Sequence, residues 1–239
     1  AYWRAVDSAF PGPLWATRMP VRFIHRGAWS DTVEAREIGG AGRVTAVKVA
    51  EAGGGLEELA SGWAQAARST STVVRHANVI TYREVHLVDG WLSAERPYVE
   101  GVDIGTAVAS AGPAPTEVAA AIAHAVAEGV AAVHEAGVIA GRLTPSHIIV
   151  GRDGAIHVLH AGVPEVTRRG GPERASGADR EVAFAPPERF AGSMLEKNAD
   201  VFGVASLLHL LSVGRPAIPE THRLARVLAR RGAVLVARG

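Results

Sequence analysis

Between residues 21 and 100 the apolar positions come in short runs parted by glycine and aspartate, which predicts strands. Val44-Thr45-Ala46-Val47-Lys48-Val49 reads as one strand, preceded by the turn-forming Gly39-Gly40-Ala41-Gly42. Residues 81–88 and 91–96 flank Asp89-Gly90, a pair that favours a two-residue hairpin. Glu57 to Val74 interrupts the strands as a helix, weakened near its end by Ser69-Thr70-Ser71-Thr72. From about residue 101 the period changes. Val118, Ile122, Val126, Val130 and Val133 mark one face of a buried helix, with Thr116 placed as its N-cap after Pro115. Ile148-Ile149-Val150 and Ile156-His157-Val158-Leu159 bracket Gly151-Arg152-Asp153-Gly154, a second hairpin in which Asp153 shapes the turn. Phe202 to Leu211 is a further apolar helix, stopped by Gly214 and Pro216. A last amphipathic helix, Thr221 to Arg231, carries Leu224, Val227 and Leu228 on one side. No repeat period appears.

Composition narrows the class. The chain has 239 residues, enough for one sizeable core or two small lobes. With 48% hydrophobic and 21% charged residues it is not a disordered chain. Twenty-five basic residues against 24 acidic ones leave a formal charge of +1, which gives no global electrostatic case for nucleic acid. Zero cysteines exclude disulfides, thiolate chemistry and cysteine-based metal centres. Residues 1–20 read as an irregular arm whose Trp3, Phe10 and Trp15 need a surface, and not as a signal peptide. The stretch from Val118 to Val138 is the most apolar, but His124, Glu128, His134 and Glu135 set it aside as a membrane span. The chain starts without Met and ends on Arg238-Gly239, so we expect a domain of a longer protein, one that could adjoin a membrane-spanning segment.

A series of short motifs runs through both regions. Thr45-Ala46-Val47-Lys48 is followed by His76-Ala77-Asn78-Val79-Ile80 and then by Pro97-Tyr98-Val99-Glu100-Gly101-Val102-Asp103. His134-Glu135 leads into Ala140-Gly141-Arg142-Leu143-Thr144-Pro145-Ser146-His147-Ile148-Ile149-Val150. His160-Ala161-Gly162, Ala185-Pro186-Pro187-Glu188 and Asp200-Val201-Phe202-Gly203-Val204-Ala205 complete the series. In this order and spacing the chain resembles the bacterial Ser/Thr protein kinase fold. The resemblance implies an α+β, bilobal fold with a small β-rich N-lobe at 21–100, after the arm at 1–20. A shortened, mainly helical C-lobe would occupy 101–239. Its last helices are truncated or replaced, and the arginine that would pair with Glu188 has only Arg223, Arg226 and Arg230 as candidates.

The same resemblance assigns chemistry, and here the residues depart from the family. Phosphoryl transfer needs metal ions on the phosphates and a carboxylate to orient the acceptor hydroxyl. The acceptor-orienting aspartate falls on Arg142, which cannot accept a proton. The catalytic-loop lysine falls on Thr144, and the two metal-holding residues fall on His147 and His160, although Mg²⁺ prefers oxygen. Arg26-Gly27-Ala28-Trp29-Ser30-Asp31 replaces the glycine pattern of the nucleotide-covering loop. Arg96 takes the position at the back of the adenine pocket, a buried cation that Glu57 or Glu58 would have to pair. Lys48 is expected to pair with Glu57 or Glu58, and Asp200 to brace the loop around Arg142. Lys48, Val99 and Asp103 would contact a nucleotide only if one binds. His147 and His160 could in principle hold a borderline metal, but a plain imidazole contact is the preferred reading. His124, His134, His157 and His209 read as packing or supporting residues.

These substitutions set the functional expectation: not an enzyme, no cofactor, no metal, and little reason for nucleotide to bind. The chain would be a non-catalytic, cytoplasmic regulatory or scaffolding module, with a protein or a neighbouring domain as partner. The segment 162–181 and the N-terminal arm are its candidate contact surfaces. The alternatives are a metal-independent nucleotide sensor and an enzyme with rerouted nucleotide chemistry.

Overall fold

The computed structural model describes residues 13–26, 30–39, 44–52, 56–141, 143–163, 183–186, 188 and 196–218. The expected helix at 221–231, the arm residues Trp3 and Phe10, Gly27 to Trp29, Arg142, and residues 164–181 lie outside them. The fold is α+β, with a sheet-rich N-terminal region and a helix-rich C-terminal region. Two compact units emerge: the first holds 13–73 and 81–99, the second 74–80, 100–163 and the later described residues.

In the first unit a five-stranded antiparallel sheet runs in the order β1 (Arg18–Arg26), β2 (Asp31–Glu37), β3 (Val44–Glu51), β6 (Trp91–Pro97), β5 (Glu84–Val88). β6 sits between β3 and β5 and is buried on both faces, so it reads as a continuous buried run, not as an alternation. The β5–β6 hairpin turns on Asp89 (φ 51°) and Gly90 (φ 76°), both left-handed, which is the backbone that an Asp-Gly pair tolerates best. Register decides the faces. Val47 opposite Glu95 lies on one face; Ala46 opposite Arg96 and Lys48 opposite Ala94 lie on the other. On the first of these faces Trp15 and Trp91 pack against Ala35, Val47 and Val49. Trp15 comes from the short helical turn Pro13–Ala16, so this aromatic of the arm has its surface in the chain's own sheet. α1 (Glu57–Val73) buries Ala60, Trp63, Ala64 and Ala67. Trp63 meets Tyr82 edge-to-face at 5.0 Å, and the Arg68 guanidinium donates to Val85 O at 2.8 Å.

Among the described residues the second unit combines a four-stranded sheet with three α-helices. The sheet order is β4 (Val79–Ile80), β9 (Ile156–Leu159), β8 (Ile148–Gly151), β7 (Gly101–Asp103), with β4 and β9 parallel. The helices are α2 (Ile104–Ala111), α3 (Thr116–Glu135) and α4 (Lys197–Val213), of which α3 and α4 pack together. One core joins Ile104, Ile122, Val126, Val130, Val133, Leu143, Ile148, Val158, Leu207 and Leu211. Three readings are corrected here. Thr116 is the first helical residue and Pro115 takes the cap position, so no hydroxyl caps α3. Val118 is exposed and Ala119 faces inward in its place, because the helical stripe turns by one residue over the first turn. Finally, α3 is long and apolar enough to span a membrane by length and composition, with a mean hydropathy of 1.4 over its best 18 residues. The charged residues that set it aside are too few to fail that test; in the structure one face of α3 lies in the core.

Candidate functional site

The residues singled out by the motifs fall in both units, and each unit builds its group by different means. Lys48 lies within β3, opposite Thr32 on β2 and Ala94 on β6. Its Nζ donates to the Oγ of buried Ser30, just before β2, at 2.6 Å. Glu57 and Glu58 are exposed in the first turn of α1, where negative charge suits the positive end of the helix dipole. Val99 is half-buried just beyond β6. Arg96 is buried, and the carboxylate expected from Glu57 or Glu58 is not among its partners, since both glutamates face solvent. It donates instead to Pro97 O at 3.2 Å and bonds the Tyr82 hydroxyl. Burial pushes the guanidinium below its ordinary value, and Tyr82 and Tyr98 offset part of that.

Sequence reasoning missed the charged group on the opposite face. Arg18 Nε donates to buried Glu95 Oε2 at 2.6 Å, and Nη2 donates to Oε1 at 3.3 Å. Glu84 and Glu37 stand 3.7 and 3.8 Å from the same guanidinium. Hydrogen bonding to Glu95 raises Arg18 above its ordinary value. Glu84 lies directly across from Glu95 in the β5–β6 ladder, a like-charge pair that Arg18 offsets. No motif could reveal this, because the partners are 77 positions apart and meet only through strand register.

In the second unit the loop 140–147 is anchored from α4. Asp200, 2% exposed, accepts from Ala140 N at 2.8 Å and from Gly141 N at 2.7 Å. His134 Nε2 reaches the same carboxylate at 2.7 Å; a carboxylate can only accept, so the imidazole hydrogen sits on Nε2. Lys197 Nζ donates to His134 O at 3.0 Å and ties α4 to the end of α3. Gly141 turns the loop with φ 76°. Gly203 lets α4 approach it, for a Cβ there would stand 2.8 Å from Leu143 Cβ. Thr144 is buried and its Oγ1 shares a hydrogen bond with Ser146 Oγ at 3.1 Å. His147 ends the helical turn Pro145–His147, with its amide on Thr144 O. Its ring meets that of His160 edge-to-face, centroids 4.6 Å apart. His160 has φ 60°, a left-handed backbone that histidine, with asparagine and aspartate, adopts more readily than most residues. Asp103 caps α2, accepting from Thr106 N at 2.9 Å and from Thr106 Oγ1 at 2.7 Å. Glu188 is half-buried, and its candidate arginine partners, Arg223, Arg226 and Arg230, lie outside the described residues, as does the Arg26 side chain.

Among the described residues no group of three or more histidine, aspartate or glutamate side chains is placed to hold a metal ion. His147 and His160 bring nitrogen donors in an edge-to-face ring contact, which does not suit Mg²⁺ and its demand for octahedral oxygen.

A small sheet-rich unit carrying a strand lysine, followed by a helical unit whose loop is held by an aspartate, defines a kinase-like protein. The protein kinase domain family model matches residues 21–234, and the chain belongs to that family. It is 26% identical over 143 residues to serine/threonine-protein kinase PknH of Mycobacterium tuberculosis, covering 60% of this chain and 23% of the relative. It is 22% identical over 195 residues to serine/threonine-protein kinase PknE of the same species, covering 82% of this chain and 34% of the relative. Serine/threonine-protein kinase PkaA of Streptomyces coelicolor is 27% identical over 191 residues, 77% of this chain and 34% of that protein. The chain thus spans about a quarter to a third of the length of the curated relatives it matches.

These relatives overturn one expectation. The chain was expected not to be an enzyme, yet the relatives it matches are each named as serine/threonine-protein kinases. The expectation rested on side-chain identity at four positions. Proton transfer can be served by other groups, histidine above all, and the position of Arg142 lies outside the described residues.

Proposed function

We propose that this protein kinase family domain serves signalling as a regulatory or scaffolding interaction module. Its partner is a protein or a neighbouring domain of the same polypeptide. One observation supports the reading: buried Asp200 accepts from Ala140 N and Gly141 N and so anchors the chain just after α3, and a contact surface needs such an anchor. The relatives are about two and a half times as long as this chain, so a neighbouring domain is a natural partner. We place the domain in the cytoplasm, as part of a larger membrane protein.

The deciding experiment measures phosphate transfer from ATP to a generic protein substrate and to the chain itself, with Mg²⁺ or Mn²⁺. The interaction reading expects a partner pulled down equally well by wild type and by Lys48→Met. A partner that is phosphorylated by wild type and no longer captured by Lys48→Met would be a substrate, and would replace the interaction reading with the activity that the relatives' names state. A second reading, the metal-independent nucleotide sensor, draws on the placement of Lys48 beside Ser30. It expects ATP to raise the melting temperature equally with EDTA and with Mg²⁺.

A further inference from the structure

The buried ion pair of the sheet-rich unit is completed from outside the matched family domain, which begins at residue 21. Arg18 supplies the cation for Glu95, and Trp15 packs on Ala35, Val47 and Val49 of the same sheet face. Three strands send a carboxylate to this one guanidinium: Glu37 from β2, Glu84 from β5 and Glu95 from β6. Three negative charges against one positive leave the place acidic even with Arg18 seated in it. Glu95 is buried, whereas Glu84 and Glu37 keep 49% and 31% of their side chains exposed, so the rim is open to solvent. The face thus has one place for an aromatic ring and one for a guanidinium, and the chain's own segment fills both.

That segment is joined to the sheet by a weak seam. Trp15 comes from the four-residue helical turn Pro13–Ala16, and Arg18 opens β1 opposite Glu37. The register of β1 shifts between Pro20 and Arg22, so Arg18, Met19 and Pro20 pair with β2 apart from the rest of the strand. Pro20 brings no amide to the ladder. Residues 13–20 can therefore lift away while 22–26 stay paired.

We propose that this sheet face is a docking site for a protein partner, and that Trp15 and Arg18 hold it in cis as a detachable latch. The partner presents an aromatic side chain and, three residues on, an arginine, the two kinds of side chain that most often anchor interfaces. Charge complementarity sets the occupant: the acidic rim draws a cationic segment, whereas a second copy docking face to face would bring Glu37 and Glu84 against their own kind. The partner competes with a tethered segment whose effective concentration is on the order of millimolar, so wild type binds it weakly and a loosened latch opens the site. The site rests on the interaction reading above and names one partner's chemistry; a partner captured through another surface would leave that reading standing if the site fails.

The probe is the labelled synthetic peptide Pro-Leu-Trp-Ala-Thr-Arg-Met-Pro, the sequence of residues 13–20, followed by fluorescence anisotropy with the whole chain. Trp15→Ala should bind it at least about tenfold more tightly than wild type does. Added salt should weaken that binding, and Glu84→Gln on the Trp15→Ala background should weaken it severalfold. Peptides carrying W15A or R18A should not bind. Thr17→Gly, which loosens the segment and keeps both anchors, should also bind more tightly than wild type and serves where Trp15→Ala does not fold. The proposal is overturned if the peptide binds neither loosened variant, if it binds them no better than wild type, or if the W15A and R18A peptides bind equally well. A wild-type dimer in sedimentation that Trp15→Ala dissolves would give the place to a second copy and overturn the partner.

Discussion

Glu95 in the sheet-rich unit and Asp200 in the helical unit are the buried carboxylates among the described residues, and they are satisfied by different partners. Glu95 is matched by a charge: Arg18 crosses the sheet and meets it with two hydrogen bonds. Asp200 is matched by dipoles, two loop amides and one imidazole hydrogen. The sheet offers no spare amides, because its strands have spent theirs on the ladder, so a buried carboxylate there needs a cation from elsewhere. The loop at 140–147 leaves amides unpaired, and a carboxylate at the start of α4 collects them. Charge pairing thus holds the sheet together, whereas amide capture gives the helical unit a loop of fixed shape.

Breaking each device should show the difference, beginning with the largest effect. Arg18→Ala leaves Glu95 buried without its cation and should cost about 3–5 kcal/mol in urea denaturation, with most of it recovered in Arg18→Met/Glu95→Leu. A loss under about 1 kcal/mol in the single variant would show that the pair is solvent-screened. Asp200→Ala orphans two amides and should cost about 2–4 kcal/mol. Hydrogen exchange should then quicken at Ala140 and Gly141 while the sheet keeps its protection; uniform quickening would mean that the loop is no separate device. Gly203→Ala pushes a methyl into Leu143 and should cost about 1–3 kcal/mol, read from the thermal midpoint. An unchanged midpoint would show that α4 and the loop are not in tight contact. Smallest is Asp103→Ala, which removes the α2 cap at about 1 kcal/mol. Its signature is faster exchange confined to Ile104–Ala111, and a wild-type pattern there would refute the capping role.

Much of the fold was legible because periodicity is local. α1, α3, α4 and both hairpins lie where the pattern of apolar residues and the Asp-Gly turn put them. α2 was missed; its eight residues are too short for a stripe, and the Asp103–Thr106 cap was the signal that could have found it. Lys48 and Asp200 came from motifs, and the resemblance also implied that Asp200 braces the loop whose Ala140 and Gly141 amides it accepts from. Ser30 was read as part of a loop, yet it holds the lysine; His134 was read as a packing or supporting residue, and it supports the aspartate. Arg96 was correctly taken as buried, but its pairing with the first turn of α1 failed because that turn is exposed.

The sequence by itself determined which segments are helix or strand, the order of the motifs, and hence the protein kinase family. Those depend on neighbours within a few positions and on residue identities in a row. Only the tertiary structure decided which charge meets which: Arg18 with Glu95, Asp200 with His134, Arg96 with no carboxylate among the described residues. Strand register and helix docking place groups tens of positions apart within three ångströms, and a shift of one residue in register would send every side chain of the strand to the other face.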